Sequence, residues 1–283
     1  MKRVSAVIVL YHPEINVIEN IKTYLPQIER LYVVNNSERP LDPKISSFLL
    51  SDKIKVINNL ENLGIAKALN QGAIIAIDEG FDYLLTMDQD SKFLDNFIDI
   101  MISILEKDSK IGILAPYIIH EKDPIKPQND DCFDITVAMT SGCILKLEAF
   151  KEIGGFLEEL FIDYVDNEYC LRLKTSGYKI KQINSIKLIH NLGETVPKRF
   201  FLKKTITTNH SPLRYYYRTR NRFFVYKKFK SKFFYYVKED RNIFFKEMIK
   251  IILFESEKYR KFYMILLGFR DFRRNKFGKF IVM

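Results

Sequence analysis

Residues 83–90 read YLLTMDQD, an apolar run that ends in two carboxylates. Tyr83–Met87 has the composition of a strand that is buried on both faces, and Asp88 and Asp90 follow it directly. Side chains two residues apart point to the same side of an extended segment, so we expect both carboxylates on one side. Carboxylate oxygens are ligands that Mg²⁺ and Mn²⁺ prefer. The buried strand before the pair makes a metal site more plausible, and a solvated acidic turn is the alternative.

Short apolar runs on either side of this stretch predict further strands, and residues at helical spacing lie between them. The predicted strands besides Tyr83–Met87 are Val4–Leu10, Leu31–Val34, Ile54–Ile57, Ile111–Ala115, Ile144–Leu145, Lys179–Ile183 and Ile186–His190. Strands that alternate with helices predict an α/β fold with a mainly parallel sheet flanked by helices. In such a sheet, ligands bind beyond the carboxyl ends of the strands.

A second acidic group lies in the predicted helix Asp163–Thr175. Asp163 and Asp166 are three residues apart and would share a helical face, and Glu168 follows. A carboxylate at this position could serve as a general base, although helix capping explains acids there equally well. His190 follows a predicted strand and is a candidate ligand, but a lone histidine is more often structural.

The charge of the chain is divided unevenly. The net charge is +10, yet residues 198–283 carry 24 Lys and Arg against 6 Asp and Glu, whereas residues 1–197 have a net charge of −8. Residues 214–222 read RYYYRTRNR, which places three arginines on one helical face. Arginine forks suit diphosphates, nucleic acid or an anionic membrane surface, and an ordinary helical appendage is the alternative.

Cysteine usage and hydropathy restrict the class of protein. Cys132, Cys143 and Cys170 form no C-x-x-C pair, so we expect neither a disulfide framework nor a cysteine zinc site. The basic start followed by Val4–Leu10 lacks a cleavage site, so we interpret it as a strand and not as a signal peptide. No apolar run approaches the ~20 residues of a bilayer-spanning helix.

Taken in order, the motifs resemble the family 2 glycosyltransferases and, within them, the rhamnosyltransferase-like bacterial enzymes. The resemblance runs from Val4 to about Phe229 and rests on Tyr11-His12-Pro13, Val33-Val34-Asn35-Asn36-Ser37, Asn62-Leu63-Gly64-Ile65-Ala66, Met87-Asp88-Gln89-Asp90-Ser91, Thr140-Ser141-Gly142, Gly154-Gly155-Phe156, Asp163 to Glu168 and the arginine–tyrosine run.

This resemblance implies a GT-A fold and a division of the chain. It implies a catalytic domain over 1–197, with a nucleotide-binding half at about 1–115 and an acceptor half at about 116–197. The basic, aromatic region 198–283 would be helical and membrane-associated. From the net charge of +18 and the many Phe and Tyr residues of this region, we expect a cytoplasmic location, peripheral on the inner face of the cell membrane, with homo-oligomerisation left open.

The resemblance also implies roles for individual residues. Mg²⁺ or Mn²⁺ would be held chiefly by Asp90, with Asp88 and His190. Asp166 aligns with the catalytic base, and Glu168 and Asp163 are alternatives because Val165 replaces the glutamate usual before the base. Ser141 and Gly142 would lie on the acceptor side. The implied donor-binding residues are Tyr11, His12, Asn35, Asn36, Asn62, Gly64, Lys67, Asp88, Gln89, Arg218 and Arg222.

The implied activity is inverting transfer of a sugar, rhamnose by family resemblance, from a dTDP- or UDP-sugar. The acceptor would be a hydroxyl of a cell-surface polysaccharide or a lipid-linked carbohydrate, with no nucleic-acid partner. UDP-hexose or galactofuranose donors are the first alternative. A nucleotidyltransferase would need a Gly-rich basic loop after the first strand, where this chain has Tyr11-His12-Pro13-Glu14. A membrane- or nucleic-acid-binding module would leave the ordered acidic motifs unexplained.

Overall fold

The computed structural model describes residues 2–119, 132–190 and 209–281, together with the backbone of 196–200 and 203–207. The chain divides into two compact units. The first comprises Met1–Glu158 and Val165–Asn191, and the second comprises Glu159–Tyr164 and Leu192–Met283. The predicted division at 197 assigned residues 159–164 to the catalytic part, whereas these residues pack with the C-terminal helices.

A mixed sheet forms the centre of the first unit. Its strands are β1 (Val4–Leu10), β2 (Arg30–Asn35), β3 (Ile54–Asn58), β4 (Tyr83–Asp88), β5 (Ser91–Phe93), β6 (Ile111–Ile119), β7 (Cys132–Asp134), β8 (Cys143–Lys146) and β9 (Lys179–His190). Their order is β3-β2-β1-β4-β8-β6-β9-β5, and β7 also pairs with β9. Every residue of β1 is buried, as its continuous apolar composition predicts.

The direction of the strands changes in the middle of the sheet. Strands β1 to β4 are mutually parallel, with Val9 opposite Val34 in β2 and opposite Asp88 in β4. Strand β8 is antiparallel to both β4 and β6, and β5 and β7 are antiparallel to β9. The predicted α/β class with a mainly parallel sheet is therefore confirmed: β6 and β9 are parallel to each other and run in the same direction as β1 to β4, and the antiparallel strands of this sheet are β5, β7 and β8. Composition alone does not determine strand direction.

Six α-helices accompany this sheet in the described part of the first unit, besides the short 3₁₀ helix Leu25–Gln27. They are α1 (Val17–Lys22), α2 (Pro43–Phe48), α3 (Ile65–Asp78), α4 (Ile98–Lys107), α5 (Leu147–Ile153) and α6 (Val165–Thr175). Helix α3 lies directly on β1, because a Cβ atom at Gly72 would come within 2.3 Å of Val7 Cγ2. The small residues on this helix face therefore set how closely it approaches the sheet.

Two predicted elements differ from the structure. Residues 179–183 and 186–190, predicted as two strands, form the single strand β9, which a register shift beside Pro116 keeps paired to β6. The predicted helix from Asp163 begins only at Val165, because Asp163 and Tyr164 have φ angles of 62° and 64°. Asp163 and Asp166 therefore do not share a helical face.

The second unit is helical apart from one hairpin in its described part. Strands β10 (Val196–Phe200) and β11 (Lys203–Thr207) pair antiparallel, and α7 (Pro212–Phe229), α8 (Phe234–Phe254) and α9 (Lys258–Arg273) follow. Helix α7 begins with Ser211, whose hydroxyl accepts the Arg214 N–H, and with Pro212 at its first position. In the described residues, no helix has both the length and the hydropathy to cross a membrane.

Candidate active site

Three potential metal ligands meet at the carboxyl end of β4. Asp88 is the last residue of that strand, Asp90 lies in the turn after it, and His190 is the last residue of β9. The antiparallel pairing of β5 with β9 sets Ser91 directly opposite His190. One ligand atom from each of Asp88, Asp90 and His190 lies within 4.8 Å of the others. We call these three residues the Asp-Asp-His group.

The side chains of this group fit a divalent cation. Asp90 Oδ1 is buried and accepts no hydrogen bond from any described residue, and His190 Nδ1 lies 3.4 Å from it. The Asp90 side chain is nonetheless 44% exposed, so the group is open to solvent on one side. A buried carboxylate oxygen without a donor is costly unless a cation or water satisfies it. Two carboxylates and an imidazole suit Mg²⁺ or Mn²⁺.

A chain of two serine hydroxyls lies beneath this group. Ser141 Oγ accepts the backbone N–H of Asp88 at 3.1 Å and donates to Ser91 Oγ at 2.8 Å. Ser91 Oγ is in turn 2.7 Å from His190 Nδ1. Ser91, Ser141 and His190 are all buried. The hydroxyl of Ser141, a residue predicted to lie on the acceptor side, is therefore used inside the protein.

The turn that carries Ser141 is held against β4. Thr86 Oγ1 donates to the carbonyl of Thr140, and the Gly142 N–H donates to the Thr86 carbonyl at 2.7 Å. Gly142 has a φ of 76°, and a Cβ atom there would lie 2.8 Å from side-chain atoms of both Leu188 and Pro116. Gly142 thus permits a tight turn under the Asp-Asp-His group.

On the other side, Gln89 ties the end of β1 to the acidic turn. Its side-chain amide accepts the Tyr11 N–H at 2.8 Å and donates to the Tyr11 carbonyl at 3.2 Å, and its own carbonyl accepts from Asn20. The ring of Tyr11 is exposed and lies 4.3 Å from that of His12, centroid to centroid. His12 is also 3.0 Å from Glu38. The ring pair therefore offers a surface at the carboxyl end of β1.

The predicted donor-binding asparagines form an internal amide network. Asn35 donates to Asn58 at 3.1 Å. Asn36 donates to Asn62 Oδ1 and to the Gly64 carbonyl, and it accepts from Asn59 and from the Leu63 N–H. An amide can donate two hydrogen bonds and accept two, so these contacts satisfy Asn36 fully. Asn35 and Asn36 thus shape the loop before α3.

That loop leads into α3 through Gly64, which has a φ of 86°. Asn62 Oδ1 accepts the Gly64 N–H at 2.9 Å, and Lys67 is exposed in the first turn of the helix. The amino end of a helix and an exposed lysine both favour an anion.

Asp166 lies in the first turn of α6, partly exposed, and its Oδ1 accepts the Asn167 N–H at 2.8 Å. Asp166 and Asp88 both act electrostatically on the buried thiol of Cys143. Burial raises the pKa of the Cys143 thiol well above its usual value, and the charges of Cys170, Asp166 and Asp88 raise it further.

Glu168 has a different environment from Asp166. It is fully buried, and both of its carboxylate oxygens accept hydrogen bonds from Arg172, at 2.9 to 3.2 Å. The same guanidinium donates to the carbonyls of Ile153, Gly154 and Gly155. Glu168 and Arg172 together anchor the glycine turn before α6. Arg172 was not among the predicted site residues, although an arginine four residues after a glutamate in a helix indicates an ion pair of this kind.

Asp163 belongs to the second unit, where Arg214 lies 3.3 Å from its carboxylate. The backbone around it is strained, because Phe161, Asp163 and Tyr164 all have positive φ angles. The buried side-chain nitrogen of Asn221 lies within 2.9 Å of the carbonyl oxygens of Leu160, Ile162 and Asp163, which share its two hydrogens. Helix α7 thus stabilises the strained segment.

The two arginines predicted to bind the donor are paired inside the second unit. Arg222 is 1% exposed and forms ion pairs with Asp240 at 3.0 Å and with Glu247 at 2.8 Å. Arg218 pairs with the same Glu247. These contacts correct the sequence-based interpretation: Arg222 neutralises carboxylates of α8, which leaves it no surface for a diphosphate. The arginine pattern alone does not reveal partners on another helix.

Comparison with known proteins agrees with this geometry. The profile of the family described as Glycosyl transferase family 2 matches residues 5–155, more than half of the chain. The chain belongs to this family. It is a glycosyltransferase, and the matched region includes the first three strands, Asp88, Asp90 and Ser141.

One curated relative extends the comparison. This family 2 glycosyltransferase is 30% identical over 247 residues to the dTDP-rhamnosyl transferase RfbF of Shigella flexneri, with 80% of each chain covered. The predicted resemblance to rhamnosyltransferase-like family 2 enzymes is confirmed.

Solved structures support the fold at low sequence identity. GalNAc-T7, solved with UDP, GalNAc and Mn²⁺, superimposes with a TM-score of 0.56 at 15% identity; the match covers 73% of this chain and 47% of that one. The TarS 1–349 structure from S. aureus gives a TM-score of 0.51 at 14% identity, over 96% of this chain and 72% of that one. These neighbours support the GT-A-like fold.

Proposed function

We propose that this glycosyltransferase transfers a sugar from a nucleoside-diphosphate sugar to an acceptor hydroxyl with inversion at the anomeric carbon. The observation that carries the proposal is the Asp-Asp-His group at the carboxyl end of β4, where a parallel α/β sheet binds its ligands. Rhamnose from a dTDP donor is the sugar we propose, because the curated relative is named a dTDP-rhamnosyl transferase. UDP-hexose and galactofuranose donors are the alternatives.

Asp88, Asp90 and His190 are the residues we propose as ligands of a Mg²⁺ or Mn²⁺ ion. The unsatisfied buried oxygen of Asp90 makes it the principal one. When bound, the cation supplies positive charge that stabilises the leaving diphosphate.

The donor would lie along the carboxyl ends of β1 and β4. We propose that the nucleotide base packs against the exposed ring of Tyr11 and its neighbour His12. Gln89 holds the Tyr11 backbone in place, and Lys67 in the first turn of α3 attracts the diphosphate. Asn35, Asn36, Asn62 and Gly64 support this surface by ordering the loop beneath it.

Asp166 is the carboxylate that we propose as general base. It removes the proton of the acceptor hydroxyl, the hydroxyl oxygen bonds to the anomeric carbon, and the bond to the diphosphate breaks with its electron pair on the leaving group. A single displacement of this kind inverts the anomeric carbon. Glu168 is less suitable because Arg172 binds both of its oxygens, and Asp163 is paired with Arg214.

Turnover of two variants tests this assignment. Asp166→Asn should lower turnover by about 10²–10⁴-fold, the usual contribution of a general base, while donor binding is retained. Glu168→Gln is the matched control, and the turnover of its folded fraction should stay within about tenfold of the wild-type value. The assignment is wrong if Asp166→Asn keeps near-normal turnover or if Glu168→Gln loses as much as Asp166→Asn.

A donor screen tests the function as a whole. The purified protein is incubated with Mn²⁺ and dTDP-rhamnose, UDP-glucose or UDP-galactofuranose, and release of the nucleoside diphosphate is measured with and without EDTA. We expect release from dTDP-rhamnose and its loss in EDTA. If the nucleoside diphosphate is released from a UDP-sugar and not from dTDP-rhamnose, the donor is the UDP-sugar. If EDTA does not affect release, the proposed role of the metal is wrong.

For the second unit, we propose peripheral binding to an anionic membrane surface on the cytoplasmic side, where a lipid-linked acceptor would be reached. Phe234, Phe245, Ile249 and Ile252 of α8 are each more than half exposed. At 100° per residue these four lie within about 60° of one another. Exposed Lys238 and Arg241 lie on the same face. Such a face suits the headgroup region, and each basic residue near it adds ~1 kcal/mol.

Vesicle flotation tests this proposal. The protein should float with vesicles containing anionic phospholipid and lose this binding at high salt. Replacing Lys238 and Arg241 together by Gln should weaken binding by about 30-fold, from ~1 kcal/mol for each charge. Leu50→Ser changes an exposed apolar residue of the first unit and is the control. Equal binding to neutral vesicles by all variants contradicts the proposal.

A further inference from the structure

The chain of hydroxyls beneath the Asp-Asp-His group runs from the Asp88 backbone through Ser141 and Ser91 to His190. A serine hydroxyl offers one hydrogen and two lone pairs. Because Ser141 Oγ accepts the Asp88 N–H and gives its own hydrogen to Ser91 Oγ, Ser91 has one lone pair and its own hydrogen left for His190. Either the lone pair accepts a hydrogen from Nδ1, 2.7 Å away, or the Ser91 hydroxyl donates to an unprotonated Nδ1, and the tautomer of His190 separates the two.

This arrangement distinguishes the two nitrogens of His190. If Nδ1–H donates to Ser91, the unprotonated nitrogen is Nε2, and it is the one able to bind a cation. A histidine that ligates a metal usually donates its other ring N–H to a neighbouring acceptor, which fixes the orientation of the ring. In most such sites the acceptor is a carboxylate, carbonyl or water, whereas in this arrangement it would be the buried hydroxyl of Ser91.

We propose that Ser91 and Ser141 are positioning residues: they hold His190 with Nε2 toward the cation and anchor the Asp88 backbone to the same network. This inference rests on the proposed metal site. It replaces the acceptor-side role predicted for Ser141, whose buried hydroxyl is used in both contacts.

The opposite assignment leads to a different result. His190 Nδ1 also lies 3.4 Å from Asp90 Oδ1, a spacing that two ligands of one ion can have. If Nδ1 were the ligand atom, the Ser91 hydroxyl would compete with the ion for it. Removal of that hydroxyl would then leave metal affinity unchanged or raise it, whereas the positioning role requires that affinity falls.

The affinity of the full-length protein for Mn²⁺ alone distinguishes the two assignments. It is measured from the electron paramagnetic resonance signal of free Mn²⁺. Ser91→Ala and Ser141→Ala should each weaken binding by about 10–100-fold, the range for loss of a supporting contact to a metal ligand. Because the two hydroxyls act in series, the double variant should bind almost as Ser91→Ala does. Additive losses would contradict a single network.

Ser5→Ala is the matched control for deletion of a buried hydroxyl. Ser5 is fully buried in β1, and its hydroxyl donates to the Tyr83 carbonyl at 3.5 Å. It precedes the carboxyl end of β1 by five residues, ~16 Å along the strand. Its Mn²⁺ affinity should equal that of the wild type. Far-UV circular dichroism verifies that each variant is folded before binding is compared.

Failure of the inference and failure of the proposed metal site are distinguishable. If the wild type depletes free Mn²⁺ and Ser91→Ala does so equally well or better, the positioning role is overturned and the metal site stands. If the wild type does not bind Mn²⁺ and His190→Ala behaves identically, the metal site itself is overturned. Wild-type binding that Ser91→Ala weakens and Ser5→Ala leaves unchanged supports both.

Discussion

The pair formed by Glu168 and Arg172 allows a quantitative prediction about the stability of the first unit. Arg172→Met removes a guanidinium that binds both oxygens of a fully buried carboxylate. Loss of one partner from a buried ion pair costs about 3–5 kcal/mol, because the remaining charge is uncompensated. The three carbonyls of residues 153–155 also lose their donor, but the Gly154 contact is exposed, so water can replace it. We therefore expect a loss of about 4 kcal/mol.

The double variant Arg172→Met, Glu168→Met separates charge from packing. With both ionised groups removed, the burial penalty disappears, and the loss should shrink to about 1–2 kcal/mol. The assay is equilibrium urea unfolding followed by far-UV circular dichroism, since the chain has no tryptophan. The transition of the first unit is the one to compare. The reasoning is refuted if Arg172→Met lies within 1 kcal/mol of the wild type (about the cost of an exposed pair), or if the double variant is less stable than the single one.

The second unit supports three further predictions. Burial, helped by Arg214 and Arg218, lowers the pKa of His210 to about 4, so the unfolded chain binds more protons below its usual pKa. Stability should fall as pH decreases from about 6.5 toward 4, and the difference from His210→Gln across that range should be on the order of 1–2 kcal/mol in urea titrations. Gly268→Ala should cost about 1–3 kcal/mol by thermal unfolding despite the better helix propensity of alanine, because its Cβ would lie 2.4 Å from the Tyr216 carbonyl oxygen. Asn221→Leu should cost about 2–4 kcal/mol, because three carbonyls of a strained segment lose their donor; a protease-protection assay that shows no faster cleavage near 160–164 would contradict this.

Local sequence patterns predicted the first half of the first unit well. The runs Val4–Leu10 and Tyr83–Met87 are β1 and β4, apart from Asp88 at the end of β4. A strand buried on both faces must be apolar along its whole length, so its composition is diagnostic. The direction of β8 and the continuity of β9 depend on pairing with distant strands, which a local pattern does not encode.

The candidate site shows the same division between local and distant information. Asp88 and Asp90 were predictable because a buried strand precedes them. Ser91 was missed, although it directly follows Asp90, because a serine acquires a role only through its neighbours. Those neighbours are Ser141 and His190, at separations of 50 and 99 residues.

The start of the helix that carries the proposed base illustrates a local error. Acids at Asp163 and Asp166 suggested one helical face, but left-handed backbone at Asp163 and Tyr164 delays the helix to Val165. That backbone is uncommon for residues other than glycine, and here it is stabilised by Asn221, some 60 residues away.

By itself the sequence determined the α/β class, the acidic pair after a buried strand and the family, since these follow from periodicity, composition and the order of motifs. The tertiary structure decided which charged residues remain available for chemistry. Arg222 and Glu168 look equally suitable for a site in the sequence, yet each is buried against an opposite charge. Asp90 keeps a buried oxygen without a hydrogen-bond donor among the described residues. The physical reason is that burial of a charge requires a partner, and that partner comes from whichever element the fold brings near.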